Sequence, residues 1–144
     1  MIGLLVVLLL GGGAFGVYTM KINASSYRAM ALPVQGQSKE VCKEWVEKME
    51  EIAAQEAFLK WVVEKSDYSS VMGVPEGEAQ KDLSNRIKIK YNQQRSRIEI
   101  GLNGKRKNDD KLNQVAKVIH EGCVGTLAKA EPAFEEHLES VFAK

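Results

Sequence analysis

The sequence predicts an α+β protein, in which an N-terminal transmembrane helix precedes a small β-α-β-β-α domain with a mostly antiparallel sheet. Three observations predict it. Residues 1–20 carry no charged side chain, residues 86–102 alternate between apolar and polar side chains, and residues 39–65 and 108–142 repeat apolar side chains every three or four positions. The anchor would occupy residues 1–20 and the domain residues 21–144, with a helical C-terminal tail from about residue 108.

The anchor is predicted from length and composition. At a rise of about 1.5 Å per residue, residues 2–20 span roughly the 30 Å of a bilayer's hydrocarbon core. Gly12 and Gly16 have the spacing that lets two membrane helices pack closely, although glycine is also common in such helices. A cleaved signal peptide is the alternative, because small residues follow at 23–26.

The flanking charges leave the orientation open. Lys21, Arg28 and Lys39 all follow the apolar run, which by the positive-inside rule favours a cytoplasmic domain. Only the α-amino group precedes the run, so the rule has almost no positive charge on that side to compare with the lysines and the arginine that follow.

The first elements of the domain are a strand and a helix. Residues 27–34 alternate as a strand does, and Pro33, which lacks an amide donor, places that strand at an edge or end of a sheet. A turn at 35–37 leads to Ser38, a plausible N-cap. The helix that follows carries apolar residues at helical spacing, and the pattern continues over 57–63 in the same helix or in a second one.

A hairpin gives the clearest strand signal. Residues 86–91 and 97–102 each alternate with period two, and the five residues between them suit a hairpin loop. The first strand should join this hairpin, because a two-stranded ribbon alone is only marginally stable.

The last helix is predicted from an apolar stripe between residues 112 and 127. Gly122 and Gly125 weaken this stripe, and Pro132 interrupts it or starts a new helix over 133–142.

The net charge does not indicate a class of partner, since the chain has twenty basic and nineteen acidic side chains. Residues 86–111, which include the hairpin, carry nine basic and three acidic side chains. Such a stretch could contact a polyanion, although a solvated face is the commoner meaning of the pattern. Tyr91, the hairpin's aromatic residue, falls on the apolar face, which disfavours nucleic acid as a partner. The candidate polyanion contacts are Arg86, Lys88, Lys90 and Arg97.

Cysteine and histidine give weak signals. Cys42 and Cys123 permit one disulfide, with two buried thiols as the commoner alternative. His120 and Cys123 share a helix face, but a tetrahedral zinc site needs more ligands, which only Cys42 and His137 could supply. We therefore predict no metal and no cofactor.

Catalytic motifs are missing from the sequence. It contains no P-loop and no Gly-x-Ser-x-Gly elbow. Adjacent acids such as Glu50 and Glu51 point in different directions on a helix, as solvated charges do. We predict that the protein is not an enzyme.

The order of elements resembles the chain-length determinant (Wzz-type) domain of polysaccharide co-polymerases. The stretches that carry the likeness are 27–34, 52–63, 83–89, 97–100 and 112–119. The resemblance implies an oligomeric, non-catalytic protein of the inner membrane, with its domain on the extracytoplasmic side, that adjusts the length or export of a surface polysaccharide. The partners it implies are the bilayer, further copies of the chain, and polymerase or export components.

One departure and three alternatives stand beside this interpretation. The family usually carries a second membrane helix, and no second apolar run of about twenty residues follows Met20, which favours a shortened relative or an accessory subunit. The alternatives are a single-pass scaffold of another envelope system, a secreted ligand-binding domain, and a cytoplasmic domain whose basic hairpin binds nucleic acid or anionic lipid.

Overall fold

Three antiparallel strands form the sheet in the computed structural model, which describes residues 24–143. β1 spans Ser25–Pro33, β2 spans Ile87–Asn92 and β3 spans Arg97–Lys105. β3 is central, with Met30 of β1 and Ile89 of β2 both opposite its Ile100. The hairpin lies where the alternation places it, and β1 joins it at the free side of β3.

Helices cover one face of this sheet. They are α1 (Lys39–Ala53), α2 (Glu56–Ser66), α3 (Tyr68–Met72), α4 (Ala79–Arg86), α5 (Asp109–Ala130) and α6 (Pro132–Phe142). α5 packs on β1 and β3, α1 packs on β2, and α2 packs against α5 and α4. The continuous pattern of 41–63 is therefore two helices, because Gln55 adopts an extended backbone conformation between them.

The core lies between the sheet and the helices, and α5 supplies its longest buried face. The inward side chains of the sheet that are buried are Leu32, Ile89, Ile98, Ile100 and Leu102. The stripe of α5 faces them and is buried along its whole length: Leu112, Val115, Ala116, Ile119, Cys123 and Leu127. The outward face of the sheet carries Tyr27, Lys90 and Glu99, which lie on its three different strands.

The fold class needs a correction, which concerns the membrane. Among residues 24–143, no helix combines the length and the apolar character that crossing a bilayer requires. Even α5, with 22 residues, carries charged side chains from Asp109 to Lys129, and such groups are costly in hydrocarbon. The predicted anchor over 1–20, with Gly12 and Gly16, lies outside the described residues. The predictions of a transmembrane helix and of a single-pass inner-membrane localisation are therefore not supported by any helix that the structure describes.

His120, on α5, predicts an acid-sensitive fold. Its Nε2 is buried and has no hydrogen-bond partner among the described residues. Burial lowers the pKa of His120, and the nearby Glu121 only partly opposes this. The unfolded chain, with an ordinary pKa of about 6.5, then takes up a proton that the folded chain resists, so the free energy of unfolding falls as pH drops below about 6.5.

The measurement is urea unfolding at a series of pH values between about 7.5 and 5. His120→Gln keeps a polar side chain but removes the titration, so its pH profile should be flatter than that of the wild type over this range. Parallel profiles for the two proteins would contradict the assignment to His120.

Candidate binding groove

An open groove of about 520 Å³ lies between the α1–α2 junction and one face of α5. The first side contributes Ile52, Gln55, Ala57, Phe58 and Trp61. The face of α5 contributes Glu121, Gly122, Gly125, Thr126 and Lys129. The groove thus has an apolar floor with a few polar groups around it, which is the usual composition of a small-molecule site.

Two glycines on α5 shape this groove. A Cβ at Gly122 would lie 2.6 Å from Cζ3 of Trp61 and 2.7 Å from Cε2 of Phe58, so both aromatic rings pack directly against the helix backbone. A Cβ at Gly125 would meet no atom within 4 Å, because this position borders the open space of the groove. The glycines that weaken the helix signal in the sequence therefore create the groove in the structure.

Trp61 is held at the groove by contacts on both helices. The residue remains 37% exposed, and the centroid of its ring is 6.1 Å from that of the Phe58 ring. The Lys65 ammonium lies 5.0 Å from the ring centroid and forms a 2.8 Å ion pair with Glu121 of α5. A cation over an aromatic ring is attractive, so Lys65 and Glu121 join α2 to α5 beside the exposed indole.

Few ionisable groups line the groove. Of its two acidic or basic lining residues, Glu121 is paired with Lys65. Lys129, the other, lies in the last turn of α5 and forms no ion pair within residues 24–143. No nucleophile with an adjacent base is found among the described lining residues.

The structure divides the predicted polyanion contacts. Lys88, Lys90 and Arg97 lie together on the outward face of the sheet, whereas Arg86 ends α4 and donates from Nε to Asp82 at 2.9 Å. Glu99 partly neutralises the group on the sheet, since its carboxylate is 3.0 Å from Arg97 and 3.8 Å from Lys90. Lys88 has no ion pair within the described part of the chain. Polyanion binding here stays a prediction.

The two cysteines are separate thiols in the structure and do not form the possible disulfide. Cys42 on α1 and Cys123 on α5 are both free and buried. Burial raises the pKa of Cys123 to about 12, which keeps it as an unreactive thiol at neutral pH. Within residues 24–143, no group of three or more histidine, cysteine or acidic side chains is placed to hold a metal ion.

Comparison of the chain with family models, with curated proteins and with solved structures gives no match. The resemblance to chain-length determinant domains therefore stays a prediction. Sequence reasoning missed the groove itself. The sequence did contain one indication of the groove, a pair of glycines three residues apart in an otherwise strongly periodic helix. In the structure, Gly122 contacts α2 and Gly125 borders open space.

The two glycines should respond oppositely to alanine. Gly125→Ala should stabilise the protein by about 0.5–1 kcal/mol, because alanine is the better helix former and its methyl group enters open space. Gly122→Ala should destabilise it by about 1–3 kcal/mol, because the methyl group overlaps the rings of Trp61 and Phe58. Urea unfolding of both variants measures the difference. Changes of equal sign and size would show that α2 does not pack on Gly122 in this way.

Proposed function

We propose that this domain is a non-catalytic binding module in the assembly or export of a surface polysaccharide, and that its groove holds the sugar chain. The observation that carries the proposal is the exposed indole of Trp61 beside the glycine face of α5. The resemblance to chain-length determinant domains supports the choice of polymer. Further copies of the chain and components of polymerisation or export are the proposed protein partners.

The chemistry of the groove suits a sugar ring. Such a ring presents apolar C–H faces and a rim of hydroxyl groups. An exposed tryptophan offers a large, rigid apolar surface, and Gln55 and Thr126 add an amide and a hydroxyl at the side of the groove. The groove's volume of about 520 Å³ falls within the range of about 300–1,000 Å³ that is typical of ligand sites.

Intrinsic fluorescence tests the proposal, because the chain has two tryptophans in different surroundings. Trp61 is 37% exposed, whereas Trp45 is 3% exposed in the core. Hexasaccharides, neutral and acidic, should protect Trp61 from quenching by acrylamide. The Trp45→Phe variant should keep this protection. The Trp61→Phe variant should show no change in acrylamide quenching when the hexasaccharide is added.

Calorimetric titration of variants then locates the binding. Trp61→Ala should weaken hexasaccharide binding about tenfold or more, because the stacking surface is removed. Gly125→Leu should block the groove without a clash in the folded domain, since position 125 borders open space, and Gly125→Ala is its matched control. Unchanged affinity in both Trp61→Ala and Gly125→Leu would exclude the groove, and failure of every hexasaccharide to bind would overturn the proposed function.

A second candidate function, a protein-interaction scaffold, is favoured by the open edge of β1. Val34 N donates to Ser96 O and Ala24 O accepts from Arg106 N, so the even-numbered residues of this strand bond to β3. The odd-numbered residues between 25 and 33 therefore direct their backbone groups away from the sheet. An exposed edge of this kind can pair with a strand of another chain.

The edge is tested by adding charge to it. Ala31 is exposed on β1, and Ala31→Lys places a charge of the kind that natural edge strands use against pairing. If copies of the chain associate through this edge, light scattering coupled to size exclusion should show Ala31→Lys as monomeric under conditions in which the wild type is oligomeric. Equal masses for the two proteins would remove this candidate.

A further inference from the structure

We infer that the groove takes an acidic saccharide unit, in which a carboxylate, as in a hexuronic acid, is bound by the Lys129 ammonium. This inference rests on the proposed function and names the substrate class of the same groove.

The charges leave one cation free within the described part of the groove. Glu121 is neutralised by Lys65 at 2.8 Å, and Lys65 is further occupied by its position over the Trp61 ring. Lys129 is exposed and belongs to no ion pair among residues 24–143. Its nearest acid along the chain, Glu131, is held by Lys48 at 2.6 Å. The groove therefore favours a ligand that brings its own negative charge.

Neutral polar groups stand beside this cation. Thr126 precedes Lys129 by three residues on α5, so the hydroxyl and the ammonium lie on the same helix face. Gln55, across the groove, is the N-cap residue of α2, but its side chain makes no capping hydrogen bond and keeps its amide for a ligand. These groups match the hydroxyls of a sugar.

The apolar floor completes the match. Ala57, Phe58 and Trp61 border the groove between Gln55 and the face of α5 that carries Lys129. A sugar ring that lies against the indole would have one edge toward the amide of Gln55 and the other toward the hydroxyl and the ammonium of α5. A purely apolar partner, such as the stripe of an amphipathic helix, would cover Lys129 without pairing its charge, which is costly.

The experiment compares two hexasaccharides that share the β-1,4 linkage, one of glucose and one of glucuronic acid. Calorimetric titration at low salt should give up to about fivefold tighter binding of the acidic chain, which is the upper end of the effect of one exposed ion pair. The preference should shrink as salt is added. Lys129→Gln should abolish the preference for the acidic chain, and Lys129→Arg should retain it.

Lys117→Gln is the matched control, because Lys117 is an exposed lysine of α5 that does not line the groove. It should keep the preference for the acidic chain. Equal binding of the two hexasaccharides, or a preference that survives Lys129→Gln, would overturn the acidic class while the proposed function stands. Binding of neither chain would overturn both. Concentration-dependent protection of Trp61 without any sugar would instead assign the groove to a second copy of the protein and overturn the inference.

Discussion

Replacing Gly101 by alanine is expected to lower the free energy of unfolding by about 3 kcal/mol, the upper end of the usual cost of overpacking. Gly101 lies on the central strand β3, opposite Ala29 of β1. A Cβ at this position would overlap the carbonyl oxygen of Arg28 and lie 2.6 Å from the Cα of Ala29. Because these are backbone atoms, no side-chain rotation can relieve the overlap, and β1 must move away from β3.

Gly77→Ala makes the same chemical change where a methyl group has room. A Cβ at Gly77 would meet no atom within 4 Å, and the residue does not have a positive φ. Its free energy of unfolding should stay within about 0.5 kcal/mol of the wild type. Urea unfolding of the two variants at one pH provides the comparison. Similar values for both would mean that β1 does not approach Gly101 as closely as the structure shows.

Local patterns predict the elements of this fold well. The alternation over 86–102 places the hairpin, and the stripe between Leu112 and Leu127 places the buried face of α5. Pro33 correctly indicates an edge strand, since β1 pairs on one side only. Each of these patterns lies within a few neighbouring residues, so the local sequence is enough to predict the elements.

Features that depend on distant contacts could not be predicted in this way. Gly101 looks like one more outward position of an alternating strand, and its constraint comes from β1, about seventy residues earlier. The groove depends on how α2 packs against α5, which no single stretch of sequence describes. The break between α1 and α2 at Gln55 is hidden in the sequence because the apolar spacing continues through it.

The charges of the hairpin illustrate the same limit. The sequence shows a cationic strand pair, but the structure shows Glu99 at its centre, bonded to Arg97 and near Lys90. Lys90 also lies 4.4 Å from the ring centroid of Tyr27. Pairing within β3 and between β2 and β3 therefore neutralises much of the charge that a count along the chain treats as free. The charge of Lys129 in the groove, by contrast, is not neutralised by a neighbour, because no acidic residue lies within one helical turn before it.

The last helix, α6, is attached to the core through aromatic and polar contacts. The ring of Phe134 meets Trp45 of α1 edge to face, with the centroids 5.0 Å apart. His137 lies 5.4 Å from the same indole, donates from Nε2 to the carbonyl oxygen of Pro33 at 2.8 Å, and accepts at Nδ1 from the amide of Gln37 at 3.2 Å. These contacts also bond the end of β1, where the strand has no second neighbour in the sheet.

Phe134→Ala should therefore destabilise the protein by about 3–5 kcal/mol, since a fully buried phenylalanine is lost and a cavity is left beside Trp45. Phe142→Ala is the matched control on the same helix, because Phe142 is 69% exposed, and its effect should stay within about 0.5 kcal/mol. Urea unfolding measures both effects. In a Trp61→Phe background, Phe134→Ala should also shift the emission of Trp45 to longer wavelength, because the indole gains contact with water. If both phenylalanine variants leave stability and emission unchanged, α6 does not pack on Trp45 in solution, and the attachment described for the C-terminal helix is wrong.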